Sequence, residues 1–159
     1  MRKVESTQSE LGGTFIADIV INPKSRDDIP ALLIGLKHLY MNEQIRAKVF
    51  ALLDAQVNPR ARKDTGRPGM ALWRILVLAI LKQGLGCDYD RVTELANEHG
   101  TLRQMLGHGV VDHEYERQTV VDNIRLLSPE LLCEINQLLV ESGHEVVRNK
   151  AWRNIARAR

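Results

Sequence analysis

The sequence predicts one all-α domain, a compact bundle of about seven or eight helices with a possible helix-turn-helix and a short extended N-terminal segment. Apolar residues recur at spacings of three and four over most of the chain, which is the periodicity of amphipathic helices. Only residues 14–21 alternate between apolar and polar side chains, as a strand does. Of the 159 residues, 44% are hydrophobic and 26% are charged, and a chain of this length buries a sizeable core without disulfides or metal.

Two helices are predicted in the N-terminal third of the chain. A turn over residues 23–28 precedes the first helix, and Pro30 is tolerated within a first helical turn. The apolar stripe of this helix is Ile29, Leu32, Leu33, Leu36 and Tyr40. Asn42 is a favourable N-cap for the second helix. The apolar stripe of the second helix is Ile45, Val49, Leu52 and Leu53.

The middle of the chain consists of a loop and a central helix. Residues 57–69 (VNPRARKDTGRPG) form the loop, because two prolines and two glycines interrupt any regular pattern. Residues 70–83 are apolar nearly all round, which is typical of a helix that is buried on every side. Trp73 is its largest packing group, so this helix is predicted to lie at the centre of the fold.

The remainder of the chain predicts four helices. Residues 88–99 and 101–106 form a short pair that separates at Gly100 and ends at a Gly-His-Gly joint. The next helix is marked by Val120, Val121, Ile124 and Leu127. The Ser-Pro-Glu sequence at 128–130 combines a capping hydroxyl, a first-turn proline and a first-turn carboxylate, and predicts the start of the last helix. We expect Gly143 to end that helix.

Charge is divided unevenly along the chain, although the net charge is only +2. Residues 57–85 hold six basic side chains and one acidic side chain, a net charge of +5, and residues 144–159 have a net charge of +4. Residues 86–143, between these two regions, have a net charge of −7. The two basic regions are where an anionic partner is expected, above all nucleic acid; solvated cations without a partner are the alternative.

Several classes of function are excluded because their motifs are missing. The sequence has no P-loop, no dinucleotide-binding glycine motif and no nucleophile elbow. Cys87 and Cys133 form no CxxC pair, and His99, His108 and His113 lack the spacing of zinc ligands. We therefore expect no metal, no other cofactor and no small-molecule substrate. The sequence shows neither a secretory signal nor a stretch that could cross a membrane, which predicts a cytoplasmic protein.

The loop at 57–69, called the basic loop below, contains the densest cluster of cations. These cations are Arg60, Arg62, Lys63 and Arg67. A broken polar segment beside a rigid helix can neutralise phosphates and position a duplex without reading its sequence. We therefore predict that these four side chains bind DNA, with a solvated linker as the alternative. The chain has only seven aromatic residues, which argues against a base-stacking platform for single strands.

The two short helices have the order of a helix-turn-helix, whose second helix enters the major groove. Ala96 allows the helices to approach closely, and Gly100 is expected to adopt the left-handed turn conformation. Leu102 and Leu106 are expected to pack inward. The residues predicted to contact DNA at the start of the second helix are Thr101, Arg103 and Gln104, since Arg and Gln suit guanine and adenine edges. The alternative is a plain helical corner, which the acidic character of this region favours.

Three stretches of the sequence are distinctive. They are residues 22–40 (NPKSRDDIPALLIGLKHLY), 65–78 (TGRPGMALWRILVL) and 87–109 (CDYDRVTELANEHGTLRQMLGHG). Together they resemble the N-terminal region of bacterial insertion-sequence transposases of the ISNCY type, relatives of the group with a DDE catalytic domain. The resemblance covers about residues 1–150. It implies a helical, DNA-associated region that precedes an RNase H-like catalytic domain.

The resemblance also implies what this chain lacks. The catalytic carboxylates that bind two divalent metals for strand cleavage would lie beyond residue 159, so none is assigned here. We expect a helical domain over residues 1–143, a basic tail over 144–159 and truncation before the catalytic domain, which leaves a chain without nuclease activity of its own. The expected partner is double-stranded DNA at element ends. The rival interpretation is a protein-interaction module that self-associates or inhibits full-length transposase by mixed assembly.

Overall fold

The structure is a computed structural model that describes residues 13–58, 69–109 and 113–146, the side chains of 139–146 excepted. Within these residues it contains seven α-helices, one short 3₁₀ turn and no strand, so the prediction of an all-α bundle is confirmed. The helices are α1 (Asp28–Met41), α2 (Glu43–Val57), α3 (Leu72–Leu85), α4 (Tyr89–Glu98), α5 (Gly100–Met105), α6 (Arg117–Ile124) and α7 (Pro129–Val146).

Helix α3 lies at the centre, as its continuous apolar character predicts. Nine of its residues are buried, and α1, α2, α4 and α6 all pack against it. Helix α7 packs on α2, and α5 contacts both α4 and α1. A helix that is apolar over most of its surface is stabilised by neighbours on most of its sides, and the other helices supply those neighbours with their apolar stripes.

The predicted helix starts are confirmed by side-chain caps. Asp27 Oδ1 accepts a hydrogen bond from the Ile29 amide at 3.2 Å. Asn42 Oδ1 accepts bonds from two amides of α2, and Ser128 Oγ accepts one from Leu131 at 3.1 Å. Each cap satisfies amides that have no partner inside the helix and contributes about 1 kcal/mol.

The expected extended segment at residues 14–21 is wrong. The backbone forms a 3₁₀ turn at Ile16–Asp18, and among the alternating apolar residues only Ile19 is fully buried. Lys37 Nζ donates a hydrogen bond to the Ile19 carbonyl at 2.8 Å. A strand needs a neighbouring strand to satisfy its backbone groups, and the described part of the chain offers this segment only a helical surface and one lysine.

The expectation that Gly143 ends the last helix is also wrong, because α7 continues to Val146. A glycine inside a helix costs about 1 kcal/mol relative to alanine, which the rest of an eighteen-residue helix can tolerate. The predicted boundary at residue 143 therefore falls within a helix. Residues 147–159, which form most of the predicted basic tail, lie outside the described residues.

Candidate nucleic-acid interface

Residues 59–68 of the basic loop, with its four predicted contacts Arg60, Arg62, Lys63 and Arg67, lie outside the described residues, and Val57, predicted as the first loop residue, is the last residue of α2. Both ends of the loop are described. At one end Asn58 caps α2, and its Nδ2 donates to Asp54 Oδ1 at 2.8 Å. At the other end Gly69 stands three residues before the start of α3. The loop therefore connects the end of a packed surface helix to the start of the central helix.

The turn between α4 and α5 is made by His99 and not by Gly100. His99 has an extended backbone, and its Nδ1 accepts a hydrogen bond from the Leu102 amide at 3.2 Å. Gly100 is the first residue of α5 and does not have a positive φ; a Cβ at this position would meet nothing within 4 Å. The expectation of a left-handed Gly100 is wrong, because a histidine cap replaces the glycine turn.

The two left-handed glycines of the described chain occur at helix ends. Gly86 ends α3 with φ 61°, and Gly107 follows α5 with φ 86°. This conformation is costly for a residue with a Cβ, so glycine is the natural residue at both positions. The Gly-His-Gly joint was correctly predicted to end the helix pair, and Gly107 is the residue of that joint with the left-handed backbone.

The apolar side of α5 is packed as predicted. Leu102 and Leu106 are buried, as is Met105, which the sequence analysis did not single out. Ala96 on α4 is also fully buried, consistent with a small residue at a close helix contact. The three predicted DNA contacts, Thr101, Arg103 and Gln104, are half-buried.

Arg103 folds back onto the preceding helix. Its Nη1 donates to the carbonyls of Ala96 at 3.0 Å and Asn97 at 3.4 Å. The last carbonyls of a helix have no partner within that helix, so a cation is favourable there. This contact engages one end of the guanidinium, which carries five N–H donors in total. In this arrangement Arg103 stabilises the α4–α5 corner. The side chains of Thr101 and Gln104 make no described hydrogen bond to α4.

Two side chains at the start of α3 hold the end of α5. Trp73 Nε1 donates to the Met105 carbonyl at 2.9 Å, and Arg74 Nε donates to the Leu106 carbonyl at 2.8 Å. Since α3 begins directly after the basic loop, these bonds bring α5 to the place where the loop joins the domain. In the sequence the loop and the helix pair are separate candidates, because no local pattern connects them. Only the indole and guanidinium donors near the start of α3 could have hinted at this connection.

The chain beyond α5 is fastened to α4 by buried polar groups. His108 and Tyr115 are each 3% exposed and are hydrogen-bonded to each other through His108 Nε2 and the Tyr115 hydroxyl. Asn97 bonds both the amide and the carbonyl of Tyr115, at 2.7 and 3.0 Å. The ring of His113 stacks on His108 with centroids 4.8 Å apart. These residues hold the segment that follows α5 against α4, an arrangement that sequence reasoning missed.

Asp88, Asp90 and Glu94, at the start and in the middle of α4, have local partners. Asp88 caps α4 by accepting from the Arg91 amide at 2.8 Å, and Glu94 pairs with the Arg91 guanidinium at 2.9 Å. Asp90 pairs with Arg117 from α6. These pairs are exposed and add little stability. They do reduce the local negative charge that would oppose a phosphate backbone near this helix.

The described residues also bear on three other possibilities: a metal site, a membrane-spanning helix and a reactive cysteine. They contain no group of three potential metal ligands, and none of their helices is long and apolar enough to span a membrane. Burial raises the pKa of the Cys87 thiol, which reduces its reactive thiolate fraction. Comparison of the chain with family models, curated proteins and solved structures finds no match.

Proposed function

We propose that this chain is a DNA-binding module, the element-end recognition part of an insertion-sequence transposase. The observation that carries the proposal is the attachment of α5 to the start of α3 by Trp73 and Arg74. This attachment brings α5, the candidate recognition helix, close to the start of α3, which directly follows the basic loop with its dense cluster of cations. A duplex that lies against this end could meet both the phosphate-binding and the base-reading elements.

The two elements would have different roles. The cations of the basic loop would bind phosphates and supply affinity that does not depend on sequence. The polar side chains of α5 would supply specificity, with Gln104 suited to adenine edges and Arg103 suited to guanine edges. Because Arg103 Nη1 contacts α4 carbonyls, it would read a base through its other donors or after leaving α4.

The test of the basic loop is a salt series of duplex binding, followed by fluorescence anisotropy. Replacing Arg60, Arg62, Lys63 and Arg67 together by alanine should weaken binding to all duplex sequences about equally. The slope of log affinity against log salt should fall by about 3.6, or about 0.9 for each lost phosphate contact. A slope that does not change would exclude the loop as the contact surface.

The matched control removes exposed cations that lie elsewhere. Lys24, Arg26 and Lys48 are exposed on the N-terminal turn and on α2. Their joint replacement by alanine changes the net charge by nearly as much as the loop variant. We expect the salt slope of this control to stay within about 0.5 of the parent slope. An equal loss in both variants would indicate a general charge effect and would contradict the loop assignment.

Sequence reading is tested at Gln104 and Arg103. Each alanine variant should lose about 1–3 kcal/mol of binding to the cognate element end and little binding to random duplex. Gln104→Ala is the cleaner variant, because Arg103→Ala also removes the contact with α4. If both variants bind cognate DNA as tightly as the parent while keeping their helical circular dichroism, the α4–α5 pair is a plain structural corner.

Self-association is a second candidate, favoured by one groove. Helices α2 and α7 border a groove of about 530 Å³ with Leu52 and Leu138 at its apolar part. Lys48 lines it from α2 and Glu134 lines it from α7. In a two-fold dimer each contact occurs twice, so Lys48 of each copy could pair with Glu134 of the other. Lys48→Glu and Glu134→Lys should each reduce dimerisation in sedimentation equilibrium, and the double variant should restore it. A parent protein that is monomeric in the same experiment would exclude self-association.

A further inference from the structure

A second cationic cluster lies at the opposite end of α3 from the basic loop. The ring of Tyr89, at the start of α4, has Lys82 Nζ at 4.6 Å and Arg125 Cζ at 5.9 Å from its centroid. Lys82 belongs to the last turn of α3, and Arg125 is the C-cap of α6. Three helices thus converge on one aromatic ring and hold two cations near it.

These two cations have no carboxylate partner within the part of the chain that the structure describes. Among the acidic residues closest to them in sequence, Asp88 caps α4, Asp90 pairs with Arg117, and Asp122 Oδ1 accepts a hydrogen bond from Gln118. A cation–π contact orients an ammonium or guanidinium group without neutralising its charge. The cluster therefore keeps a positive charge that is already ordered before any ligand arrives.

The chemistry of the cluster suits a phosphate. Lysine supplies a point charge, arginine supplies paired N–H donors, and a tyrosine hydroxyl can add a third hydrogen bond. We propose that Lys82, Arg125 and Tyr89 bind a backbone phosphate of duplex DNA. This inference rests on the proposed function, and it adds a contact that the sequence analysis did not assign.

The spacing along α3 allows one duplex to reach both regions. Lys82 is eight residues beyond Arg74, the residue that holds α5, which corresponds to about 12 Å along the helix axis. Phosphates of one strand follow each other every ~3.4 Å along the duplex axis, so this separation spans only a few base pairs. A duplex that runs along α3 from α5 and the basic loop would gain a second backbone contact at the Tyr89 cluster.

The experiment compares two double variants in the anisotropy salt series with random duplex DNA. Lys82→Gln with Arg125→Gln removes both charges and keeps most of each side chain. We expect affinity to fall and the salt slope to decrease by about 1.8, the value for two lost contacts. The control, Lys24→Gln with Arg26→Gln, makes the same change in net charge and should leave the slope within about 0.5 of the parent slope. Tyr89→Phe should weaken binding about two- to fivefold, since only a hydroxyl contact is lost.

The possible results separate this inference from the proposed function. If the parent protein does not bind duplex DNA at low salt, the proposed function fails, and this inference fails with it. If the parent binds and the Lys82/Arg125 variant has an unchanged slope, or a loss equal to that of the control, the cluster is not a phosphate site while the proposed function stands. Thermal melting and circular dichroism of each variant test whether a decrease in the salt slope arises from unfolding.

Discussion

Helix α3 buries nine of its fourteen residues, whereas α5 has only six residues and is held at both ends by hydrogen bonds from its neighbours. The start of α5 is capped by His99, and its end is held by Trp73 and Arg74. A helix of six residues is far too short to be stable alone, because nucleation is costly and few turns follow it. Apolar burial over most of its surface therefore maintains α3, whereas α5 depends on polar contacts at both ends in addition to its buried side chains Leu102 and Met105.

This difference teaches which part of the molecule can change shape at low cost. A helix with a full apolar surface opens only when the whole domain unfolds, whereas a short helix fastened by hydrogen bonds can open locally. Ligand-binding elements are generally taken from the less stable parts of a domain. The following substitutions test the comparison, starting with the largest expected effect.

The largest loss of stability is expected for Leu76→Ala in the centre of α3. Leu76 is 0% exposed, so the substitution removes buried methyl groups and leaves a cavity. The free energy of unfolding in urea should fall by about 3–4 kcal/mol, and hydrogen exchange should accelerate in all helices together. Gln83→Ala on the exposed side of α3 is the control and should change stability by less than about 0.5 kcal/mol.

Trp73→Phe should lower the free energy of unfolding by about 2 kcal/mol and act first on α5. The variant leaves the buried Met105 carbonyl without the donor Trp73 Nε1 and also reduces side-chain volume. Hydrogen exchange should accelerate more at α5 amides than at α3 amides. The matched variant Phe50→Leu disturbs the Phe50–Trp73 ring contact but keeps the Trp73 Nε1 bond. Its hydrogen exchange should therefore accelerate no more at α5 amides than at α3 amides. Equal acceleration of α3 and α5 in Trp73→Phe would contradict the comparison.

Arg103→Gln should lower the free energy of local opening at the α4–α5 corner by about 1 kcal/mol. It removes the charge-assisted bonds to the carbonyls of Ala96 and Asn97. Amide exchange at the end of α4 should accelerate while the urea midpoint moves only slightly. Arg91→Gln breaks an exposed ion pair with Glu94 and should cost less than about 0.5 kcal/mol. Unchanged exchange at the corner would mean that Arg103 does not stabilise it.

The smallest effect is expected at Gly100. Gly100→Ala should raise the free energy of unfolding by about 0.5 kcal/mol, because the position is helical and a Cβ there meets nothing within 4 Å. Gly107→Ala should have the opposite sign and cost about 1 kcal/mol, because its φ is 86°. Thermal melting of the two variants measures both. Destabilisation by Gly100→Ala would restore the glycine-turn interpretation of this helix pair.

Local patterns predicted most of the fold. The caps Asn42 and Ser128 and the continuous apolar stretch of α3 were identified correctly, because each depends on residues within one or two turns. The errors occurred where a residue type permits several conformations. Gly100 and Gly143 both lie inside helices, since glycine allows a turn but does not impose one.

The sequence by itself determined the all-α class, the order of the helices and the central place of α3, since periodicity and capping are local properties. Tertiary structure alone decided which distant side chains meet. It joined Trp73 and Arg74 to the end of α5, turned Arg103 back onto α4 and gathered Lys82 and Arg125 around Tyr89. The physical reason is that a side-chain donor can reach any carbonyl that packing brings within about 3 Å, and no periodicity in the sequence records that approach.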